Sequence, residues 1–298
     1  MKLSSQYSIS RICQVLDYAR SSCYYQPVER DEHVLRDEIE EIATEYPTYG
    51  YRRVTAQLRR QGMLVNSKRV RRIMREMGLQ AKTKRKKQRT TDSMHDFLRY
   101  PNLVREMTIM RPDQVWVADI TYIRLRHEFV YLAVIMDVFT RSIRGWHLSR
   151  SLDQQLTLIA LNKALANGKP EVHHSDQGVQ FAATAYVKVL EKTEIAISMA
   201  EIGEAWQNGY AERLIRTIKE EEVNLSDYQD YWEAYSQIGQ FIEHVYMYKR
   251  IPSSLNYLTP VEFEHLWFSQ QVELEVVNYE TSFLCPVFGA QYNIISNH

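Results

Sequence analysis

Two apolar runs in the middle of the chain have the length and composition of β-strands. Residues 115–125 and 129–139 are rich in β-branched and aromatic side chains and lie a few residues apart, which predicts a hairpin of paired strands. A shorter stretch, 171–175, predicts another strand, after which Gln177 and Gly178 turn the chain. The pattern therefore predicts a sheet in the centre of the chain.

Helical patterns flank these strands on both sides. Upstream, the spacing of apolar residues predicts a small helical unit within residues 8–27 and an acidic amphipathic helix over 31–46. Downstream, it predicts a long aromatic-rich helix over 228–250 with Trp232 on its packing face. The alternation of residues 272–277 predicts a short terminal strand or hairpin.

The segment after residue 50 has the signals of two short helices. Tyr51 begins an apolar face that Gly62 can stop, Asn66 or Ser67 can cap a second helix, and Gly78 can end it. Two short helices with a tight connection and a cationic second helix are typical of a helix-turn-helix, whose second helix enters a DNA groove. A small helical bundle with a basic surface is the alternative.

Charge is balanced over the whole chain but uneven along it. Lys plus Arg and Asp plus Glu both number 37 in 298 residues, of which 45% are hydrophobic, as in soluble globular proteins of two or three domains. Within residues 50–91 the count is 15 basic to one acidic, Glu76. This imbalance indicates a polyanionic partner and salt-dependent binding. The run 82–89 has no apolar face and is interpreted as a mobile arm that orders on DNA phosphates.

Three acids stand at informative points of this pattern. Asp119 lies inside the first apolar run, Asp176 follows the short strand, and Glu212 lies on the polar side of an amphipathic helix. Taken singly, Asp176 suits a turn and Glu212 suits a solvated ion pair, whereas a buried Asp119 needs a partner or a metal. Together the three acids indicate a metal site for phosphoryl transfer, because Mg²⁺ prefers oxygen ligands and leaves positions for substrate.

The helix that carries Glu212 also presents a polar stripe. Asn208, Glu212, Arg216 and Lys219 are spaced by four, four and three residues and therefore project from one side. A carboxylate beside an amide and two cations suits a metal ligand next to a phosphate backbone. A solvated face with an ordinary Glu–Arg pair is the alternative.

These motifs resemble the catalytic core of DDE insertion-sequence transposases of the OrfB type, which are related to retroviral integrases. Thirty-five residues separate Asp176 from Glu212, as in that class. The resemblance extends upstream to Tyr49–Arg53 and Asn66–Val70 and downstream to Ser254–Pro260. The matching core motifs are Trp116–Tyr122, Tyr131–Asp137, Arg141, Gly145–Trp146, His174–Gly178, Asn208, Ala211–Glu212 and Lys219. Gln207, Met247 and Pro252 depart from the family pattern and flank the acids.

The resemblance implies an α/β fold with a ribonuclease H-like core, a mixed sheet flanked by helices, preceded by an all-α helix-turn-helix DNA-binding region. It implies that Asp119, Asp176 and Glu212 hold two Mg²⁺ or Mn²⁺ ions, one activating water or a 3′-hydroxyl and the other stabilising the leaving oxygen. The expected activity is DNA cleavage and strand transfer at the ends of a mobile element. A structure-selective nuclease and a non-catalytic DNA-binding regulator are the alternatives.

Expected partners are double-stranded DNA, as terminal repeats and as target, further copies of the chain on DNA, and an OrfA-type partner or fusion. Lys219 is expected to position the reacting DNA end. The residues expected to contact DNA are Arg52, Arg53, Lys68, Arg69, Arg71, Arg72, Arg75, Lys84, Arg85, Lys86, Lys87, Asn208, Arg216 and Lys219.

Five segments are expected: a small helical module (1–27), the helix-turn-helix region (28–90), a linker (91–112), the catalytic core (113–225), and a C-terminal helix and tail (226–298).

The remaining sequence signals bear on location and on zinc. The three cysteines, Cys13, Cys23 and Cys285, have no metal spacing and no obvious disulfide framework, as expected in a reducing cytosol. His173 and His174 have no paired cysteines nearby and are interpreted as structural. We find no signal peptide and no membrane-spanning run and expect a cytoplasmic protein that joins the nucleoid when bound to DNA.

Overall fold

The computed structural model of the chain describes residues 7–24, 31–81, 98–201 and 205–282, with side chains for all of these except 205–206 and 272–282. The predicted arm, with Lys84, Arg85, Lys86 and Lys87, lies outside the described residues, as does Cys285.

A five-stranded mixed sheet forms the centre of the fold. Its strands are β1 (Val115–Arg124), β2 (Phe129–Asp137), β3 (Ile143–Ser149), β4 (Val172–Ser175) and β5 (Ala196–Met199). Their order is β3-β2-β1-β4-β5, with antiparallel pairing of β1 to β2 and of β2 to β3, and parallel pairing of β1 to β4 and of β4 to β5. The predicted hairpin and the ribonuclease H-like mixed sheet are confirmed.

A helical unit precedes the sheet. It comprises α1 (Ile9–Val15), α2 (Arg20–Cys23), α3 (His33–Glu45), α4 (Tyr51–Arg60) and α5 (Ser67–Glu76). The predicted end of α4, the cap of α5 and the end of α5 are confirmed. Gly62 and Gly78 have positive φ angles of 88° and 72°, and the Asn66 side chain accepts a hydrogen bond from the Lys68 N–H at 2.8 Å, so it caps α5.

Helices cover both faces of the sheet and give it two apolar cores. They are α6 (Gln154–Leu165), α7 (Val179–Ala182), α8 (Thr184–Lys192), α9 (Gly209–Ile218), α10 (Tyr231–Gln240) and α11 (Pro260–Ser282). Because side chains alternate along a strand, Val117 packs in the core with α9 and α10, whereas Trp116 packs with α6 and α8. Gly145 lets α6 approach β3, because a Cβ there would lie 2.3 Å from the Ala160 carbonyl oxygen.

Two π-helical segments extend α9 and α10: Lys219–Val223 follows α9, and Phe241–Lys249 follows α10. The predicted helix over 228–250 is thus present as α10 and its π-helical continuation. Trp232 was predicted to pack and instead is 69% exposed, because α10 buries Ala234 and Ile238 against the sheet. The hydrophobic core of the sheet includes Ile238, so it continues past residue 225.

The expected terminal strand at 272–277 is wrong, because these residues belong to α11. This helix begins with a capping box at Pro260: the Glu262 carboxylate accepts from the Thr259 N–H at 2.8 Å, and the Thr259 hydroxyl accepts from the Glu262 N–H at 3.2 Å. Once a helix has started, adding further residues to it is favourable, so it continues through the six residues whose apolar and polar side chains alternate.

The cysteine and histidine side chains have local structural partners. Cys13 and Cys23 are free thiols whose Sγ atoms lie 3.1 Å apart in the N-terminal unit. His173 Nε2 lies 2.9 Å from the Tyr186 hydroxyl, and His174 Nδ1 lies 2.8 Å from Ser198 Oγ. Burial lowers the pKa of His173 to about 3 and that of His174 to about 4, so both rings are neutral. The structural interpretation of the two histidines is confirmed.

Candidate active site

The middle of β1 and the carboxyl end of its parallel neighbour β4 bring two of the predicted acids together. The parallel register ends with Val117 opposite His174, so Asp119 and Asp176 each lie two residues beyond the last pair. Neighbouring strands are separated by roughly 4.8 Å, and paired residues of parallel strands point to the same face. The Asp176 carboxylate also accepts a hydrogen bond from the Gly178 N–H at 3.0 Å, which holds it in the turn after β4.

Asn208 anchors the helix that carries the third acid. Its side-chain amide donates to the Ala118 carbonyl at 3.0 Å, and the residue is 2% exposed. The residue after Ala118 is Asp119, so this bond fixes the start of α9 beside the acid on β1. Glu212 follows one turn later, in the first turn of α9. The structure thus gives Asn208 a positioning role within the fold, rather than the exposed position expected of a DNA contact.

The electrostatics of Asp119 reveal how close the charged groups are. Burial, together with the charges of Asp176 and Glu212, raises the pKa of Asp119 to about 8. The Ile120 N–H, which donates to Asp119 at 2.7 Å, and the positive charge of Lys219 act in the opposite direction. Burial also raises the pKa of Asp176. Buried carboxylates that also repel one another favour a bound cation.

The donor set fits a hard divalent cation. It consists of carboxylate oxygens, together with the buried Oδ1 of Asn208, which has no hydrogen-bond partner among the described residues. No three His, Cys, Asp or Glu side chains within the described ranges are gathered tightly enough to enclose a metal ion as they stand.

Lys219 lies on the same side of the catalytic helix as Glu212. Its Nζ is 4.9 Å from the centroid of the Tyr122 ring, and its charge lowers the pKa of Asp119. Arg216, between them on the predicted stripe, is exposed to solvent. The structure therefore brings Lys219 to the acids and leaves Arg216 outside.

The cations of α5 divide into two groups. Arg69 Nε and Arg72 Nη2 bind the Glu32 carboxylate at 2.8 and 2.6 Å, and Arg72 also binds Glu76. These contacts hold α5 against the start of α3, so Arg69 and Arg72 have partners within the protein. The exposed cations on the outer side of α5 are Lys68, Arg71 and Arg75.

Arg52 and Arg53 point to different surroundings. Arg52 is exposed and donates to the Tyr51 hydroxyl at 3.2 Å. Arg53 faces the catalytic part of the chain, where its Nη1 lies 3.1 Å from Glu221 Oε1. The same glutamate binds Arg250 at 2.8 Å, and the Arg250 side chain is only 7% exposed. This cluster cannot be recognised in the sequence, because no local pattern links residues 53, 221 and 250.

Two of the departures from the family pattern have partners of their own. Gln207 accepts hydrogen bonds from the Asn102 side chain and the Glu201 N–H, both at 2.8 Å. The Met247 sulfur lies 3.3 Å from the Ile143 N–H. These contacts hold residues 102, 143 and 201 and do not involve the three acids directly.

Known domains and proteins match most of the chain. Integrase core domains match residues 110–205 and 193–260, and an HTH-like domain matches residues 29–87. The transposase for insertion sequence element IS629 of Shigella sonnei is 32% identical over 282 residues, 90% of this chain and 95% of that protein. The transposase for IS904 of Lactococcus lactis subsp. lactis (strain IL1403) is 33% identical over 80% of this chain and 96% of that protein.

The chain belongs to the IS3-family insertion-sequence transposases. Its integrase core spans the sheet and α9, and its HTH-like domain spans α3 to α5. Among solved structures, the HTLV-2 integrase catalytic core domain in complex with magnesium (trimeric form) aligns with 52% of this chain and 97% of that chain, at 19% identity and a TM-score of 0.44. Within the described ranges, no helix has the length and apolarity that crossing a membrane requires.

The raised pKa of Asp119 predicts how the stability of this transposase depends on pH. In the absence of metal, the folded protein holds a proton on Asp119 up to a pH of about 8, whereas the unfolded chain releases it near pH 4. The free energy of unfolding therefore falls as the pH rises through that window. We expect Asp119→Asn to remove this slope and to stabilise the metal-free protein at pH 8 by about 1–3 kcal/mol.

Urea unfolding in EDTA at pH 5 and pH 8 measures the effect. Mg²⁺ should stabilise the wild type at pH 8 and leave Asp119→Asn unchanged, because only the wild type gains by neutralising the carboxylate. Equal pH slopes for the two proteins would contradict the raised pKa of Asp119.

Proposed function

We propose that this chain cleaves DNA at the ends of its mobile element and joins the resulting 3′-hydroxyl to target DNA, with Asp119, Asp176 and Glu212 as metal-binding catalytic acids. Its membership of the transposase family and its integrase core support polynucleotidyl transfer. The residue roles rest mainly on one observation: the charges of both Asp176, just after β4, and Glu212, on α9, act on the buried Asp119 carboxyl of the neighbouring strand β1.

Each residue of the site has a distinct task in this proposal. The three acids hold two Mg²⁺ or Mn²⁺ ions, and Asn208 keeps Glu212 in place by fixing the start of α9 to β1. When bound, the ions supply the Lewis acidity that activates water or a 3′-hydroxyl and neutralises charge on the phosphate. Lys219 adds a positive charge beside the acids, where it orients the phosphate next to the scissile bond.

A strand-transfer assay tests the function. The full chain is incubated with Mg²⁺, an oligonucleotide duplex carrying the end of its own element, and a target plasmid. A transposase yields joined products from a 3′-hydroxyl end, whereas a structure-selective nuclease yields cleavage without joining. A non-catalytic regulator binds the duplex and yields neither product.

Assembly as a homo-oligomer on DNA and an OrfA-type partner are part of the proposal. The same reaction with and without the OrfA-type protein tests the need for that partner.

The outer side of α5 is proposed to contact DNA through Lys68, Arg71 and Arg75. Replacing all three with alanine should weaken DNA binding and reduce the slope of log affinity against log salt by about 2–3, since each lost phosphate contact removes roughly 0.9. Fluorescence anisotropy at several salt concentrations measures both quantities.

The variant Arg69→Ala/Arg72→Ala provides the contrast. Because these side chains bind Glu32, their loss should lower the melting temperature more than it changes the salt slope. A larger change of salt slope in this pair than in the outer triple would reverse the assignment.

Lys219→Ala should reduce cleavage and strand transfer far more than DNA affinity. One phosphate contact among many adds little to binding, but a misplaced scissile phosphate costs about 100-fold in rate. Arg216→Ala, an exposed cation on the same side of α9, is the matched comparison. Equal losses for the two variants would indicate that the whole stripe, and not Lys219, holds the substrate.

A further inference from the structure

A pocket lies on the side of α9 that faces away from Glu212. Its volume is about 220 Å³, and α9 contributes Tyr210, Arg213 and Thr217, which recur at intervals of three and four residues. Glu212 and Lys219 project from the other side of this helix and its continuation. The pocket is therefore separate from the candidate metal site, although one helix supports both.

Four arginines line this pocket, and they come from distant parts of the chain. Arg53 belongs to α4, Arg141 to the turn between β2 and β3, Arg213 to α9, and Arg250 to the end of the π-helical segment after α10. A single acid, Glu221, contacts two of them, Arg53 and Arg250. Counting that glutamate, the group carries a net charge of three positive units.

The two other arginines have no acidic partner within the described part of the chain. Arg141 stacks over the Tyr210 ring, with the guanidinium carbon 4.2 Å from the ring centroid. Its Nη1 is fully buried and has no hydrogen-bond partner among the described residues. A buried guanidinium N–H without an acceptor is costly, and the cost disappears when an anion enters the pocket.

We propose that this pocket binds a phosphate group of the DNA backbone. Guanidinium groups recognise phosphate through two parallel N–H···O bonds, and the exposed hydroxyls of Ser253 and Ser254 add neutral donors at the pocket rim. The volume is below the roughly 300–1,000 Å³ of pockets that enclose small-molecule ligands, so one anionic group fits better than a whole metabolite.

The position of the pocket favours a polymer over a free ion. Tyr210 and Arg213 are exposed at its mouth, which leaves room for a chain that continues past the bound group. Arg53 comes from the helix-turn-helix region, whereas Arg213 directly follows Glu212. A phosphate held here would fix the DNA between the two regions at a set distance from the acids. The proposal rests on the proposed function only in taking DNA as the polymer.

The test compares two double variants that remove the same charge. Arg141→Gln/Arg213→Gln removes the unpaired cations of the pocket. Lys188→Gln/Lys192→Gln removes two exposed lysines from α8, which packs on the opposite face of the sheet. DNA affinity of the full chain is measured against salt concentration in EDTA, so that binding is observed without catalysis and independently of strand transfer.

We expect the pocket variant to lose affinity several-fold and its salt slope to fall by about 0.9, the contribution of one phosphate. The lysine variant should keep the wild-type slope. At constant ionic strength, inorganic phosphate should raise the melting temperature of the wild type and the lysine variant and leave the pocket variant unchanged. Arg213→Gln alone repeats the measurement without altering the buried Arg141, which guards against a folding defect.

Three results would overturn the proposal. Equal salt slopes of DNA affinity for both double variants would show that the pocket makes no contact with a DNA phosphate. If inorganic phosphate raises the melting temperature but the pocket variant keeps the wild-type salt slope of DNA affinity, the pocket binds a free anion and not the DNA backbone. A DNA-independent change of oligomeric state in the pocket variant, measured by sedimentation, would make the occupant an acidic side chain of a second copy. The proposed transposase function would survive each of these, because strand transfer is scored separately.

Discussion

Asp119→Asn is expected to lower DNA cleavage and strand transfer by at least about three orders of magnitude and to leave DNA affinity within about twofold. The metal ions contribute several kcal/mol of transition-state stabilisation, and each 1.36 kcal/mol corresponds to about a tenfold change in rate. Asp176→Asn and Glu212→Gln should have the same effect, because the three acids act as one ligand set. Rates on end-containing duplexes and affinities in EDTA measure the two quantities separately.

Matched substitutions of exposed acids control for this experiment. Asp227→Asn and Glu220→Gln remove the same charge from solvated positions outside the site, and both should keep wild-type rates. Near-native cleavage by any one of the three site variants would show that the replaced acid is not a ligand. A parallel loss of DNA affinity would instead indicate a folding or binding defect.

The acids could be found in the sequence because each stands next to a local pattern. An acid inside the apolar run of β1 and an acid after the short strand β4 are recognisable without coordinates. Their proximity, however, depends on the parallel pairing of β1 with β4, which no local pattern specifies. The role of Asn208 depends on the same long-range arrangement, since its partner Ala118 lies 90 residues earlier.

The sequence predicts where α5 lies but not which of its cations face DNA. Periodicity located the boundaries of α5 and its apolar face, because caps and apolar spacing are local features. The division of its cations was not predictable in the same way. Arg69 and Arg72 bind Glu32, which lies about 40 residues earlier, and only the packing of α3 on α5 brings these charges together. A count of basic residues therefore overestimates the number that face DNA.

Glu221→Ala is expected to destabilise the fold by about 3–5 kcal/mol. The Glu221 carboxylate binds Arg250 Nε at 2.8 Å and Nη2 at 3.1 Å, and it also binds Arg53 at 3.1 Å. Removing it leaves the buried guanidinium of Arg250 without its anion, and an uncompensated buried charge carries a penalty of this size. Chemical denaturation of the wild type and the variant measures the loss.

Glu220→Ala, the exposed neighbour on the same π-helical segment, should change stability by less than about 0.5 kcal/mol. Glu221→Leu/Arg250→Met should recover most of the loss, because replacing both members of a buried pair with apolar groups avoids the unpaired charge. Additive losses in that double variant would contradict the assignment of the penalty to Arg250.

The same cluster joins the helix-turn-helix region to the catalytic part, because Arg53 comes from α4 and the Tyr49 hydroxyl accepts a hydrogen bond from the Ile251 N–H. A Glu221 variant that still folds should therefore lose strand transfer, since the bound DNA is no longer held at a fixed distance from the acids.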